Sequence, residues 1–308
     1  LYVGYALAIV SGMANSFLDT SITPSCMEIF KEKGTIANIF TGLSISIARF
    51  LLPFVISFVA GRKLPFRTIF LATAALIIVD GVFLAFLPFP SFAWTVKAKD
   101  APKERMQFTP SAVVLVCLGF TTSTTFMLWL NCNQELGALY DLTDPSRIQS
   151  FYSMGIVLAL FASATLLKWN VEPAKTLVAY PTVALATLVA IYLVQEPVMC
   201  LAGSFLLGFF AAGGVLQLVT AVANEMFPKK RGVITSVVMI ASSVANYLVV
   251  SVAGVLTRIG GIESSQLVLL FNMAVMLNGI LLALYLNVSL KRERPGAVEA
   301  AAAMEAQR

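Results

Sequence analysis

The chain of 308 residues contains no histidine, and only 12% of it is charged. Without histidine, the commonest metal ligand and the commonest general base are missing together. An ordinary hydrolase or metalloenzyme is therefore hard to assemble. Cysteine is scarce as well. Cys26, Cys117, Cys132 and Cys200 lie in or beside apolar runs with no paired spacing, which argues against a disulfide framework and for small core residues. No glycine-rich phosphate loop stands between the apolar runs, and no cofactor or metal is implied. The net charge of +5 is spread over many loops and not gathered on one face, so nucleic acid is not the expected partner.

What fills the chain is hydrocarbon, with 58% of residues hydrophobic. Nine apolar runs occupy residues 1–24, 37–60, 68–87, 109–130, 150–167, 176–194, 198–223, 233–256 and 267–288. Each is close to the roughly 20 residues that carry a helix across a bilayer core about 30 Å thick. Membrane β-strands would be about half as long and strictly alternating, and these runs are neither. The expected fold class is all-α, a polytopic transmembrane helical bundle in the lipid bilayer. Helix breakers punctuate it at 31–34, 61–67, 88–107, 139–147, 172–175, 196–197, 228–232 and 260–266.

The basic residues report orientation. Alternate connections starting at 31–34, with the C-terminal tail, carry fifteen Lys and Arg, whereas the opposite set carries five: Arg62, Lys63, Arg67, Arg147 and Arg258. The basic side faces the cytoplasm. Residue 1 is then expected outside and the C-terminus inside a plasma membrane.

Comparison of the chain with itself exposes a repeat. Met27-Glu28-Ile29-Phe30-Lys31-Glu32-Lys33-Gly34 returns as Asn224-Glu225-Met226-Phe227-Pro228-Lys229-Lys230-Arg231-Gly232, and Asp80-Gly81 returns as Asn278-Gly279. Spans one to three thus repeat as spans seven to nine, which leaves spans four to six without partners. The expectation is that three helices precede residue 1 in an intact protein of two six-helix bundles.

On these segments the sequence resembles the major facilitator superfamily (MFS), over essentially all of residues 1–290. Asn224 to Gly232, followed by a Ser-rich helix, is similar to the family's junction between its tenth and eleventh helices. The segment Phe17-Leu18-Asp19-Thr20-Ser21-Ile22-Thr23-Pro24 resembles the acidic fourth-helix segment of fucose permease-type sugar/proton symporters. One departure is the loop Lys168-Trp169-Asn170-Val171-Glu172-Pro173-Ala174-Lys175, which lacks the family's Gly, Asp and Arg signature. The resemblance implies an MFS fold lacking its first three helices. Residues 1–87 would be the second half of the N-terminal bundle, 88–107 a cytoplasmic linker, 108–290 the C-terminal bundle and 291–308 a cytoplasmic tail.

Ionisable groups within hydrocarbon are costly and mark sites or structural pairs. Asp19, Arg49 and Asp80 qualify. Asp19 belongs to a stripe with Gly12, Asn15, Ser16, Thr20 and Thr23 at helical spacing. Thinner stripes run through Gly213, Gln217, Thr220 and Asn224, and through Thr121, Thr124, Thr125, Asn131 and Glu135. The resemblance places all three on a central cavity, while polar helix packing is the plain alternative. Asp19 is expected to exchange a proton with Arg49 as its partner. Asn15, Gln217, Trp129 and Asn131 are expected to contact substrate, although Trp129 equally suits an interfacial aromatic belt. Glu28 and Glu225, at matching cytoplasmic helix ends, are gating candidates or simply exposed charges. Asp80 is weaker, because its repeat partner is the neutral Asn278.

The expected function is secondary transport of a small polar solute by alternating access, proton-coupled and sugar-like, by a monomer. The rivals are an efflux antiporter holding a lipophilic cation on Asp19 or Asp80, and a membrane scaffold or sensor.

Overall fold

The computed structural model describes residues 2–30, 34–65, 67–86, 109–168, 173–213, 215–227 and 230–305. Among them every regular element is helical. In chain order these are α1 (Tyr2–Ile29), α2 (Gly34–Gly61), α3 (Arg67–Phe86), α4 (Pro110–Leu139), α5 (Arg147–Lys168), α6 (Pro173–Val194), α7 (Pro197–Leu207), α8 (Val215–Met226), α9 (Arg231–Gly260) and α10 (Ser264–Glu305). A π-helical turn, Gly208–Ala212, follows α7, and a 3-10 turn, Gly261–Glu263, precedes α10. The protein is an all-α polytopic membrane bundle. Among the described residues five helices are long and apolar enough to cross a membrane: Arg67–Phe86, Pro110–Leu139, Lys175–Val194, Gly232–Gly260 and Ser264–Leu290. Gly4–Leu18, Thr41–Ile56, Arg147–Ala162 and Pro197–Ala212 are shorter apolar stretches, two before the first of these spans and two among them.

Three elements depart from the hydropathy reading. The seventh span is broken near its middle into α7, the π turn and α8, because Gly208 and Gly213 lack the side chains that would hold a straight helix off its neighbours. α4 outlasts its apolar run by nine residues and ends at Leu139. Its last turns carry Asn131, Asn133, Gln134 and Glu135, which stop hydropathy but not a helix. α10 continues through the basic stretch expected to end it, as far as Glu305; Lys, Arg, Glu, Met and Ala there are good helix formers, whereas Pro295 and Gly296 are not. The expected linker 88–107 lies outside the described residues.

Local chemistry explains how α4 starts. Pro110 sits at its first turn, where a missing N–H costs nothing, and the Thr109 hydroxyl accepts from the Ala112 N–H at 3.3 Å. From there α4 forms the spine of the densest part, packed along α9 on one side and α10 on the other. Gly119 lies against Val238, and the Ser123 and Ser242 hydroxyls are hydrogen-bonded. Partner numbers rise together, so α4 and α9 run parallel. On the other flank Ser111 pairs with Ser289 at 2.7 Å, Gly279 packs on Thr121, and the Asn272 amide donates to the Thr125 carbonyl at 3.1 Å. Here the numbers run oppositely, and α10 is antiparallel to α4, as odd and even crossings require.

Two apolar clusters fill this bundle. One gathers Leu128, Trp129, Leu136, Tyr152, Leu188 and Cys200. The other gathers Leu115, Leu118, Leu177, Val215, Val219 and Val238. α5 meets α7 and the π turn backbone to backbone: a side chain on Gly155 would strike the Phe205 carbonyl, and one on Gly208 the Tyr152 carbonyl. α2 joins this body through α5, and α1 touches α2 and α9. α3 touches only α2 closely and has no buried residue; Phe70, Leu71, Leu76 and Ile77 are all exposed.

Candidate functional site

The first polar stripe lies on α1. Gly12, Asn15 and Ser16 recur at three- and four-residue spacing and are all exposed. Asp19 continues the same register one turn on, and Glu28 is the penultimate residue of the helix. The side chains of Asp19 and Glu28 lie outside the described set, as do those of Arg49, Gln217 and Glu225. Their backbones place Arg49 on α2 and Gln217 and Glu225 on α8. Glu225 is the penultimate residue of α8, so the two halves of the repeat end their helices at the same point.

α2 carries Gly42 and Ser46 on a buried face, and the Ser46 hydroxyl donates back to the Gly42 carbonyl at 2.8 Å. Small residues there allow close approach to α5. Arg49 follows Ser46 by three residues, so its backbone shares that flank of α2. Asp80 is exposed on α3, away from this contact.

The other two stripes turn inward. On α4, Thr121, Thr124 and Thr125 are buried inside the bundle, whereas Asn131 and Glu135 are exposed. The five residues therefore do not share one environment. The Asn131 amide bonds back to the Met127 carbonyl at 2.8 Å. Trp129, two residues earlier, is 1% exposed within the first apolar cluster, so it is a core residue here and not part of a surface belt. On α8, Thr220 and Asn224 are buried, and Asn224 Oδ1 accepts from the Thr235 hydroxyl at 3.0 Å. This bond ties the start of α9 to the end of α8 across the short connection.

Several polar groups escaped the sequence reading. Asn133 is 1% exposed, and neither its amide nitrogen nor its oxygen has a partner; the Trp129 Nε1, one turn away on α4, lacks one too. Such orphaned groups cost roughly 1–3 kcal/mol each and are expected where a solute or water completes the bonding. Asn272 is fully buried, with its amide nitrogen used and its Oδ1 orphaned. Single amides inside otherwise apolar runs were the available signal. Among the described residues there is no cluster of three or more His, Cys, Asp or Glu.

Outside the membrane the connection between α4 and α5 is held by Asp144. Its carboxylate accepts from the Ser146 hydroxyl at 2.5 Å and backbone N–H at 3.2 Å, and it lies 3.5 Å from Arg147 Nε. The hydrogen bonds from Ser146, more than the arginine, hold this carboxyl below the usual range.

No protein-family model matches the chain. Three curated proteins are similar to it. An uncharacterized MFS-type transporter, YfkL, of Bacillus subtilis is 27% identical over 303 residues, spanning 94% of this chain and 74% of that protein. The inner membrane transport protein YdiN of Escherichia coli is 30% identical over 267 residues, 84% of this chain and 63% of its own length. A second E. coli inner membrane transport protein, YdiM, is 28% identical over 301 residues, 95% and 73% of the respective lengths. One of the three is named an MFS-type transporter and the other two inner membrane transport proteins, which supports a transport role for this chain and not an enzymatic one.

Proposed function

We propose that this multi-pass membrane protein is a secondary transporter that moves a small polar solute by alternating access, coupled to protons and sugar-like in its cargo. The observation that carries the reading is the exposed polar stripe of α1. Gly12, Asn15 and Ser16 share one face of a helix of membrane length, and such a polar face belongs against water or protein, not hydrocarbon. Three transport proteins that match the chain over most of its length point the same way. In this reading α1, α2 and α3 correspond to family helices four to six, and the contact of α2 with α5 is where the two helical sets meet. Orientation follows the basic loops, with the cytoplasm on the side of the α8–α9 connection.

Asp19 is the proton-coupling group, set one turn beyond Ser16, and Arg49 on α2 is its ionic partner when the proton leaves. Asn15, Gln217, Trp129 and Asn131 are the proposed solute contacts, to which Asn133 is added on the strength of its unpartnered amide. Glu28 and Glu225 close the cytoplasmic ends of their paired helices.

The test is uptake of a labelled sugar panel in proteoliposomes, with an imposed proton gradient and with an uncoupler. Asp19→Asn should abolish uphill accumulation and preserve exchange of solute across the membrane. Uphill uptake that is unchanged in this variant, or indifferent to the uncoupler, refutes proton coupling through Asp19.

A further inference from the structure

Between the two apolar clusters of the C-terminal bundle lies a small cleft, partly open. α4, α6, α8 and α10 surround it in a ring of consecutive contacts, α4 to α10, α10 to α6, α6 to α8 and α8 to α4. Among the described residues none of α1, α2 or α3 lines it. Its enclosed part has room for about one water molecule.

The lining is unusual for a membrane bundle because backbone irregularities converge on it. Pro181 interrupts α6 and removes the N–H that would bond the Leu177 carbonyl, and both residues line the cleft. Ala211 belongs to the π turn, and Val215 is the first residue of α8; between them the helical ladder of the seventh span is broken. Broken ladders leave carbonyls on one side and N–H groups on the other without helical partners. Thr121 and Thr125 complete the wall, each with its hydroxyl proton already donated, to the Leu118 carbonyl at 3.2 Å and the Thr121 carbonyl at 3.1 Å. What they offer the cleft is oxygen lone pairs. Asn272, one turn from the lining residue Met276, adds a buried orphaned Oδ1 close by.

From this convergence we infer that the cleft is a water-binding site: resident water donates to the acceptors that Pro181 and the threonines leave open and solvates the break in the seventh span. Backbone left unsatisfied at membrane depth costs several kcal/mol per group, and such irregular backbone is tolerated where it lines a wet cavity. The break between α7 and α8 is thereby a stable joint.

The experiment is X-ray hydroxyl-radical footprinting of the full chain in lipid nanodiscs in ¹⁸O-labelled water, which marks side chains touching bound water. Leu118, on the cleft, and Leu188, in the apolar cluster, are both buried and chemically identical. Leu118 and Pro181 should label several-fold more than Leu188. Pro181→Ala, which restores the N–H to α6, and Thr122→Val, which strips a hydroxyl from the rim, should each lower the Leu118 signal while the exposed Met154 stays constant. Labelling of Leu118 no greater than that of Leu188, or unaltered by both variants, overturns the proposal. Loss of the signal when sodium replaces choline would also overturn it, in favour of a bound cation.

Discussion

The contact between α5 and the π turn makes Gly208→Ala the most exacting test of the packing. A Cβ on Gly208 would stand 2.9 Å from the Tyr152 carbonyl carbon and nearer still to its oxygen. Carbon atoms prefer about 3.5–4.0 Å, so the carbonyl carbon alone requires α5 and the seventh span to part by roughly 0.6–1.1 Å, and the nearer oxygen requires more. The obstacle is backbone and cannot rotate away. Forced separations of this kind cost roughly 1–3 kcal/mol, against which alanine returns about 1 kcal/mol of helix propensity. Gly254→Ala on α9 isolates the packing cost, because a Cβ there meets nothing within 4 Å and only the propensity gain remains. The two variants should therefore differ by the full packing cost, about 1–3 kcal/mol, or roughly 1.5–5 °C in melting temperature for a chain of this size. With Cys26 and the exposed Cys117 replaced by Ala in every variant, a thiol-reactive dye reporting the buried Cys132 and Cys200 follows the melt in detergent. Equal melting temperatures would refute the backbone contact.

Ser242→Ala should cost about 0.6–2 kcal/mol by stranding the Ser123 hydroxyl, and the double variant with Ser123→Ala should recover part of it, read as a coupling energy in the same melt. Asn133→Leu should raise the melting temperature of the solute-free protein, because two orphaned amide atoms at roughly 1–3 kcal/mol each are removed; a fall would refute the open amide. Thr109→Ala removes the cap of α4, at about 1 kcal/mol, and hydrogen exchange over residues 110–113 should quicken without spreading along the helix. The depressed Asp144 carboxyl implies a turn intact above the ordinary carboxyl value of 3.8 and weakening as pH falls through its lowered folded value. Protection of the Ser146 amide should follow that course and lose its pH dependence in Asp144→Asn.

The helices were legible because hydrocarbon has one requirement, about 20 apolar residues, and the sequence meets it in runs that polar loops separate cleanly. Where a helix stays helical without being apolar, as in Asn131 to Glu135, hydropathy ends early while the backbone does not. The break at Gly208 to Gly213 was half visible: glycine in a membrane helix signals either close packing or bending, and here the same residues do both. Helical spacing assigned Thr121, Thr124 and Thr125 to one face but carries no information about which neighbour covers it; the neighbours are α9 and α10, over a hundred residues away in the chain. Asn272 and Pro181 were readable in principle, each a lone exception in an apolar run. Their meaning arises only where α6 and α10 meet around the cleft. For Asp19, Arg49, Glu28, Gln217 and Glu225 the sequence argument stands by itself, since their side chains lie outside the described residues.

The divided seventh span has an electrical consequence. A continuous helix keeps its two poles, roughly half an elementary charge each, at opposite aqueous surfaces. Ending α7 with the π turn at Ala212 and starting α8 at Val215 brings a negative pole and a positive pole face to face in the interior of the bundle. Seen from the lipid the pair nearly cancels. Over a few ångströms it does not, and any small dipole lodged at the joint is oriented by it, with its direction fixed by the chain sense of a single helix.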